Sequence, residues 1–167
     1  FGFRRNPQAF YDWVYTLTHV IHDAQPNASH HALADLEKQG LLQGVITQNI
    51  DMLHTRAGSR NVFELHGQMR EATCINCFTV YEGEPVMQRY LQTRIMPRCP
   101  RCGHVIKPNV ILFGEQLPFE QLQGAQDAAR TADLMIVIGS SLEVAPAGDI
   151  PLMAYRRGAR LVVINLE

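Results

Sequence analysis

The chain has no fifth cysteine, no apolar run long enough to cross a bilayer and no G-x-G-x-x-G fingerprint, and each absence narrows what it can be. Without the apolar run there is no transmembrane helix. No secretory leader is visible either, although a chain that starts at Phe1 rather than Met says little on that point. There is no basic stripe with interleaved aromatics: the formal net charge is −1, so nucleic acid is a poor fit as a direct partner. The densest basic spot, Arg156-Arg157 and Arg160, falls at a helix end around Gly158, where cations suit the helix dipole. No internal repeat or low-complexity stretch interrupts the chain.

What is there begins with the cysteines. Cys74, Cys77, Cys99 and Cys102 form two C-x2-C pairs, and none is left over. Two such knuckles place four thiolates around one tetrahedral Zn2+, although the insert between them is a residue or so longer than the usual range. The competing readings are two disulfides or a redox C-x-x-C. Disulfides suit small secreted domains without a core, whereas 46% of this chain is apolar, which favours zinc and a cytoplasmic location. Four thiolates fill the tetrahedron and leave no position for water, so the ion is expected to be structural. Arg98, Arg101 and Lys107 flank the second knuckle and offset part of its negative charge, but ordinary solvated surface charge explains them at least as well.

Around this module the elements alternate. Asn6-Pro7 supplies an N-cap and a first-turn proline, opening a helix through about Ile21 with Phe10, Trp13, Val14 and Leu17 on one side. A second helix starts near Asn27 and stops at Gly40. Strand Gly44 to Thr47, a turn around Asp51 to Ala57, and strand Val62 to Leu65 follow. After a metal module over residues 68–107 come strand Val110 to Phe113, helix Phe119 to Ala132, strand Leu134 to Ile138, helix Pro146 to Arg157 and strand Arg160 to Asn165. Apolar strands separated by helices predict an α/β fold: a Rossmann-like parallel sheet covered on both faces, over residues 1–67 and 108–167, with a small zinc-binding domain inserted.

Polar residues gather where such strands end. Thr47-Gln48-Asn49-Ile50-Asp51 follows the buried Val45-Ile46, and the carboxyl ends of parallel strands face the crevice that binds ligands. Gly139-Ser140-Ser141 follows Ile136-Val137-Ile138. A glycine there admits backbone amides to a phosphate, yet alone the pattern is most often just a turn. His66 stands in Glu64-Leu65-His66-Gly67. A lone histidine beside a strand is usually a packed residue, and only its neighbours make it a candidate. His54 is the control, expected to be a structural hydrogen-bonder, while His19, His22, His30 and His31 read as surface.

Taken in order, TQNIDMLH, ELHG, the two C-x-x-C pairs, PNVILFGE, GSSLEVAPA and VVINLE make the chain resemble the sirtuins, NAD-dependent protein lysine deacylases, over nearly its whole length. The resemblance implies that NAD and an acyl-lysine protein or peptide meet in a cleft between a Rossmann-like domain and a zinc-bearing one. It implies His66 as general base, with Asn49 and Asp51 also catalytic, and Gln48, Asn49, Ile50 and Asp51 as the nicotinamide wall. Gly139, Ser140 and Ser141 then match the phosphate and ribose contacts, and Asn165 and Leu166 the adenosine side. Ile111 and Phe113 match the acyl-lysine tunnel. Gly114-Glu115 and Leu142-Glu143-Val144 match two backbone edges that hold the peptide as an added strand. The implied reaction joins the acyl oxygen to the ribose as nicotinamide leaves. A base of near-neutral pKa then activates a ribose hydroxyl, and water releases lysine and O-acyl-ADP-ribose.

Two features depart from the family. The first strand and its glycine-rich loop are missing, and so is the segment beyond the last strand, so a fragment with an open sheet is expected. ADP-ribosyl transfer by the same NAD cleavage, a non-catalytic acyl-lysine reader and a zinc-ribbon interaction module stand as alternatives; Asn49, Asp51 and His66 argue against the last two. Sirtuins selective for acidic acyl groups resemble one another in a Tyr-x-x-Arg pair on a helix. That pair falls at Trp13-Val14-Tyr15-Thr16 here, where no arginine stands, so acetyl is the expected group.

Overall fold

The computed structural model describes residues 2–166, so Glu167 of the VVINLE motif lies outside the described residues. Helix α1 (Gly2–Arg5) leads into α2 (Pro7–Asp23). The Asn6 side chain accepts the Ala9 N–H at 3.1 Å and Pro7 fills the first turn, so the expected cap is the observed one. The buried face differs from the expected one. Phe10, Tyr11, Val14 and Thr18 are buried, whereas Trp13 is 59% exposed. Positions 10, 14 and 18 repeat every four residues and position 11 lies beside them, which rotates position 13 off the stripe. Tyr11 is further anchored by donating its hydroxyl hydrogen to the Ile106 carbonyl. Helix α3 (Ala28–Lys38) is capped by Asn27, whose Oδ1 accepts the Ser29 and His30 N–H groups.

Strand β1 (Val45–Thr47) pairs in parallel with β2 (Val62–Glu64), Val45 opposite Val62 and Thr47 opposite Glu64. The connection, expected as a turn, contains a short helix α4 (Leu53–Ala57). A second parallel pair forms further on between β6 (Leu134–Ile138) and β7 (Arg160–Ile164), joined by α7 (Ile150–Arg156). Helix α6 (Phe119–Thr131) precedes it. The two pairs pack on one core, in which Leu65 with Ile46 and Phe63 from the first side meets Ala125, Ala129, Ile150 and Ala154. No ladder joins them among the described residues. Among the described residues nothing covers β7 on both faces as expected: Leu161 to Ile164 are all 37–57% exposed.

Between the two pairs along the chain comes a three-stranded antiparallel sheet. Its strands β3 (Gly67–Cys74), β4 (Val80–Glu82) and β5 (Ile106–Val110) take the order β4-β3-β5, and α5 (Gly83–Thr93) follows β4. The strand expected at Val110 to Phe113 is therefore a correction. β5 ends at Val110, pairs antiparallel with β3, and the remaining three residues form a loop. The sequence places helices α1 and α2 with the parallel-sheet domain. Phe3, Phe10, Tyr11 and Val14 share a core with Met69, Met87, Tyr90, Val105 and Val110, so these helices pack on the antiparallel sheet and α5.

Candidate active site and metal centre

The four cysteine sulfurs all lie within 4.8 Å of one another. Cys74 and Cys102 are 3.4 Å apart and Cys77 and Cys99 3.5 Å, far from the ~2.05 Å of a disulfide, so all four thiols are free. Their ionisation is unequal. The Thr79 hydroxyl and N–H draw Cys77 down to about 6. The His104 N–H pulls Cys102 down, but burial and the other three sulfurs outweigh it and push Cys102 up to about 11. Four thiolates this close repel, and a tetrahedral dication relieves the repulsion. The residues are thus positioned to bind one zinc ion. Two groups the sequence did not single out adjoin them: Tyr81 Oη is 2.9 Å from Cys99 Sγ and Thr79 Oγ1 is 3.3 Å from Cys77 Sγ, while Arg101, which the sequence did place beside the second knuckle, donates to Thr79 Oγ1 at 3.0 Å. Arg98 donates to the Gly103 carbonyl at 3.1 Å.

His66 occupies the turn between β2 and β3, half-buried. Its Nδ1 is 3.1 Å from the Gln48 carbonyl oxygen. A carbonyl only accepts, so Nδ1 carries the proton and Nε2 presents a lone pair. The turn is held from several sides. Glu64, only 8% exposed, receives both terminal nitrogens of Arg70 across the turn, and its N–H donates to Gln121 Oε1 at 2.9 Å. The Glu64 pairing in turn raises the Arg70 pKa. Gly67 has φ +79°, and a Cβ there would sit 2.0 Å from the Asn109 carbonyl oxygen, so only glycine lets β5 close on the residue after His66.

The loop after β1, whose Gln48 carbonyl meets His66, carries the other predicted polar residues. Asn49 N–H donates to Thr47 Oγ1 at 3.1 Å, and Asp51 Oδ1 accepts the Leu53 N–H at 2.9 Å, starting α4. Met52 between them adopts φ +61°, a strained value for a residue with a Cβ. His54 departs from its expected role. Its Nδ1 is buried and finds no hydrogen-bond partner among the described residues, and its ring packs against His30 at 4.7 Å. His30, expected as plain surface, is half-buried with Nδ1 2.7 Å from Asn27 Oδ1. Burial and then His30 lower the His54 pKa against a smaller opposing pull from Asp51.

The loop after β5 carries the expected tunnel and peptide residues. Ile111 N–H donates to the His66 carbonyl at 2.9 Å, which ties the start of this loop to the His66 turn. Phe113 at its tip is 96% exposed. Glu115 Oε2 accepts the Leu112 N–H at 3.0 Å and the Lys107 ammonium at 2.9 Å. Lys107, read from sequence as solvated, has a side chain only 16% exposed. His66 thus brings loops 48–51 and 111–115 together.

The second parallel pair holds the rest. Gly139 N–H donates to the Ile164 carbonyl at 3.0 Å, and Ser140 Oγ accepts the Leu142 N–H at 3.2 Å. Leu142 has φ +60°. A Cβ on Gly148 would lie 2.1 Å from the Leu142 carbonyl oxygen, and Gly148 N–H donates to the Val144 carbonyl at 2.8 Å, so this glycine is moulded to segment 142–144. Ser141, Glu143, Val144, Asn165 and Leu166 are exposed; the Asn165 side chain accepts the Leu166 N–H at 3.1 Å. No hydrogen bond connects this group to His66 among the described residues.

A family model described as the Sir2 family matches residues 2–146. The chain is 45% identical over 165 residues to an NAD-dependent protein deacetylase of Sulfurisphaera tokodaii, and 44% identical over 167 residues to NAD-dependent protein deacylase 2 of Archaeoglobus fulgidus. Each alignment covers 99% of this chain and 65% of the relative, so the chain spans just under two thirds of the length of these relatives. Among solved structures, Sir2Tm bound to a propionylated peptide superposes with a TM-score of 0.93 at 43% identity, covering 99% of this chain and 69% of that one. A complex described as Sir2-p53 peptide-NAD+ gives 0.93 at 44%, covering 99% and 68%. Those matches agree with the Rossmann-like fold and its zinc-bearing module, and a family match spanning all but the last stretch of the chain settles its kinship: the chain belongs to the Sir2 family.

Proposed function

We propose that the full-length protein removes acyl groups, acetyl foremost, from lysine side chains of proteins at the expense of NAD, releasing nicotinamide and O-acyl-ADP-ribose. One observation carries this reading. His66 reaches the Gln48 carbonyl through Nδ1 and the Ile111 N–H through its own carbonyl, so one residue lies between the loop assigned to nicotinamide and the loop assigned to acyl-lysine. The resemblance to proteins described as NAD-dependent deacetylases and deacylases supports it.

Bound NAD would supply the ribose carbon that accepts the acyl oxygen and the hydroxyl whose proton must be removed. His66 is the general base: with Nδ1 donating to Gln48, its Nε2 is free to take that proton. Gln48, Asn49, Ile50 and Asp51 form the nicotinamide wall, with Asn49 and Asp51 acting in catalysis. Gly139, Ser140 and Ser141 face phosphate and ribose, and Asn165 and Leu166 the adenosine. Ile111 and Phe113 exclude water from the acyl-lysine. Backbone at Gly114-Glu115 and at Leu142-Glu143-Val144 pairs with the peptide, a mode that asks little of its sequence. Cys74, Cys77, Cys99 and Cys102 hold one structural zinc with no open position. Residues 68–107 form the inserted module, completed by α1 and α2, while the flanking segments form the NAD-binding domain.

Thiols kept reduced for zinc fit a cytoplasmic protein. No helix of the described residues is long and apolar enough to cross a membrane. The direct partner is an acyl-lysine protein, not nucleic acid. The test is nicotinamide release by the full-length protein, with and without an acetylated peptide. Peptide-dependent release with matching loss of acetyl supports the reading. Release with ADP-ribose left on a protein acceptor makes the protein a transferase, and peptide binding without release makes it a reader.

A further inference from the structure

Loop 111–115 is fastened at two points. At its start the Ile111 N–H donates to the His66 carbonyl at 2.9 Å. At its end the Glu115 N–H donates to the Leu112 carbonyl at 2.9 Å and the Glu115 carboxylate accepts the Leu112 N–H at 3.0 Å, which closes a tight turn around Phe113 and Gly114. Phe113 itself is 96% exposed and contributes no packing that would hold the turn. What anchors the carboxylate is Lys107. Its ammonium donates to Glu115 Oε2 at 2.9 Å and to the Val110 carbonyl at 2.6 Å, the last residue of β5 before the loop. The two side chains are 16% and 27% exposed, so the pair is largely out of water and its partners are not readily replaced by solvent.

Lys107 is itself rigidly placed. It lies on β5 opposite Thr73 of β3, one position from the pair formed by Ile106 and the zinc-ligand candidate Cys74. The loop's conformation is therefore referred to the antiparallel sheet through one side chain. Resting on the deacylase reading above, we propose that Lys107 is a positioning residue for substrate: by clamping Glu115 and the Val110 carbonyl it holds the 111–115 backbone in the shape that receives the acyl-lysine peptide. Removing the ammonium leaves a half-buried carboxylate without its counter-ion and with the Leu112 N–H as its remaining donor, and the turn opens to hydrate it. The main-chain edge offered to the peptide is then disordered before binding, and the peptide bears the cost of ordering it.

The experiment compares full-length wild-type protein with Lys107→Met, Lys107→Arg and the double variant Lys107→Met/Glu115→Gln, after melting curves establish that each is folded at the assay temperature. Lys107→Met is expected to raise the KM and the Kd for an acetylated peptide about tenfold, with kcat within about twofold and the KM for NAD unchanged. Lys107→Arg restores most of the affinity. In peptide-free protein, hydrogen exchange at the Leu112 and Glu115 amides should quicken in Lys107→Met, a change that general destabilisation would spread over the whole sheet. The double variant, which removes the stranded charge, should lose less than Lys107→Met. Unchanged peptide Kd and amide exchange in Lys107→Met overturn the inference while wild-type turnover upholds the deacylase reading. A wild-type protein that binds the peptide without turning it over discards the reading, and the Kd and exchange comparisons then still decide the inference. A wild-type protein that does not bind the peptide overturns both. A fall in kcat with no change in KM would assign Lys107 to the chemistry and not to the loop.

Discussion

His66 and His54 are twelve residues apart in sequence, and their surroundings divide their chemistry. His66 has Nδ1 committed to a carbonyl, which leaves Nε2 with the lone pair, whereas the buried Nδ1 of His54 has no hydrogen-bond partner among the described residues. His66→Ala in the full-length protein should lower kcat by on the order of 10² or more with peptide Kd little changed, and His54→Ala should not. Paired steady-state and binding measurements decide it, and equal losses would remove the assignment. His54 has a different signature. Its folded pKa lies below 6.5, so the unfolded chain binds the proton more readily, and the fold loses stability as pH falls from near 6.5. Urea titrations between pH 7 and pH 5 should show a falling midpoint, less steep in His54→Gln. An identical slope in both would place the acid sensitivity elsewhere. Glu64 and Arg70 brace the His66 turn. Because Arg70 is partly exposed, Arg70→Met should cost only about 1–2 kcal/mol in chemical denaturation, and turnover should fall with it as the turn loosens.

At the level of elements, the candidate site is assembled from loops that leave strand ends. The β1 loop, the β2–β3 turn and the loop after β5 converge on His66, and positive φ at Met52 and Leu142 marks strained backbone in two of the candidate loops. The segment 142–144 depends on Gly148 having no side chain. A methyl there would meet a backbone carbonyl, which cannot yield as a flexible side chain does. Gly148→Ala should therefore destabilise the protein by roughly 2–3 kcal/mol and raise the KM for acetylated peptide, measured by melting and by steady-state kinetics. An alanine variant with wild-type Tm and KM would mean that the segment adjusts freely.

At the level of the whole molecule, the metal centre and the helix α2 are one mechanical unit. Tyr11 and Val14 pack with Tyr90 and Met87, and the Tyr11 hydroxyl reaches the carbonyl of Ile106, the residue opposite Cys74. Chelating the zinc should therefore melt α2 as well as the knuckles, because metal binding and folding are coupled. Near-ultraviolet dichroism of the tyrosines, followed as a chelator is added, checks this, and a spectrum that survives complete zinc loss would show the sheet to stand without metal. Acyl preference also belongs to this scale. Val14 is buried and Tyr15 is covered by the Arg94 guanidinium at 3.6 Å, so that cation is engaged with an aromatic face. Acetyl-lysine should be cleaved with a higher kcat/KM than succinyl-lysine in the same peptide, since a buried carboxylate without a partner is costly. A preference for succinyl would mean that Arg94 leaves Tyr15 to meet it.

The sequence by itself determined the helices and strands with strong local signals. Asn6-Pro7 and Asn27 cap α2 and α3, and the runs at 134–138 and 160–164 form β6 and β7, because caps and apolar periodicity act over a few residues. The cysteine quartet was legible from its two C-x2-C spacings, although it is the fold that brings the pairs together: Cys74 meets Cys102 and Cys77 meets Cys99 across 28 and 22 residues of chain. Only the tertiary structure decided what depends on distant partners. The run Val110 to Phe113 has strand composition, but β5 stops at Val110 because Ile111 bonds to the His66 carbonyl and Glu115 folds back on Leu112. Trp13 and Tyr11 are both aromatic and adjacent to the stripe, and it is the Ile106 carbonyl, 95 residues away, that draws Tyr11 inward. Lys107 read as one more surface cation beside a metal site. Its burial against Glu115 follows from the path of a loop, and no spacing along the chain records that, because a charge is sheltered or solvated by what packs over it in space.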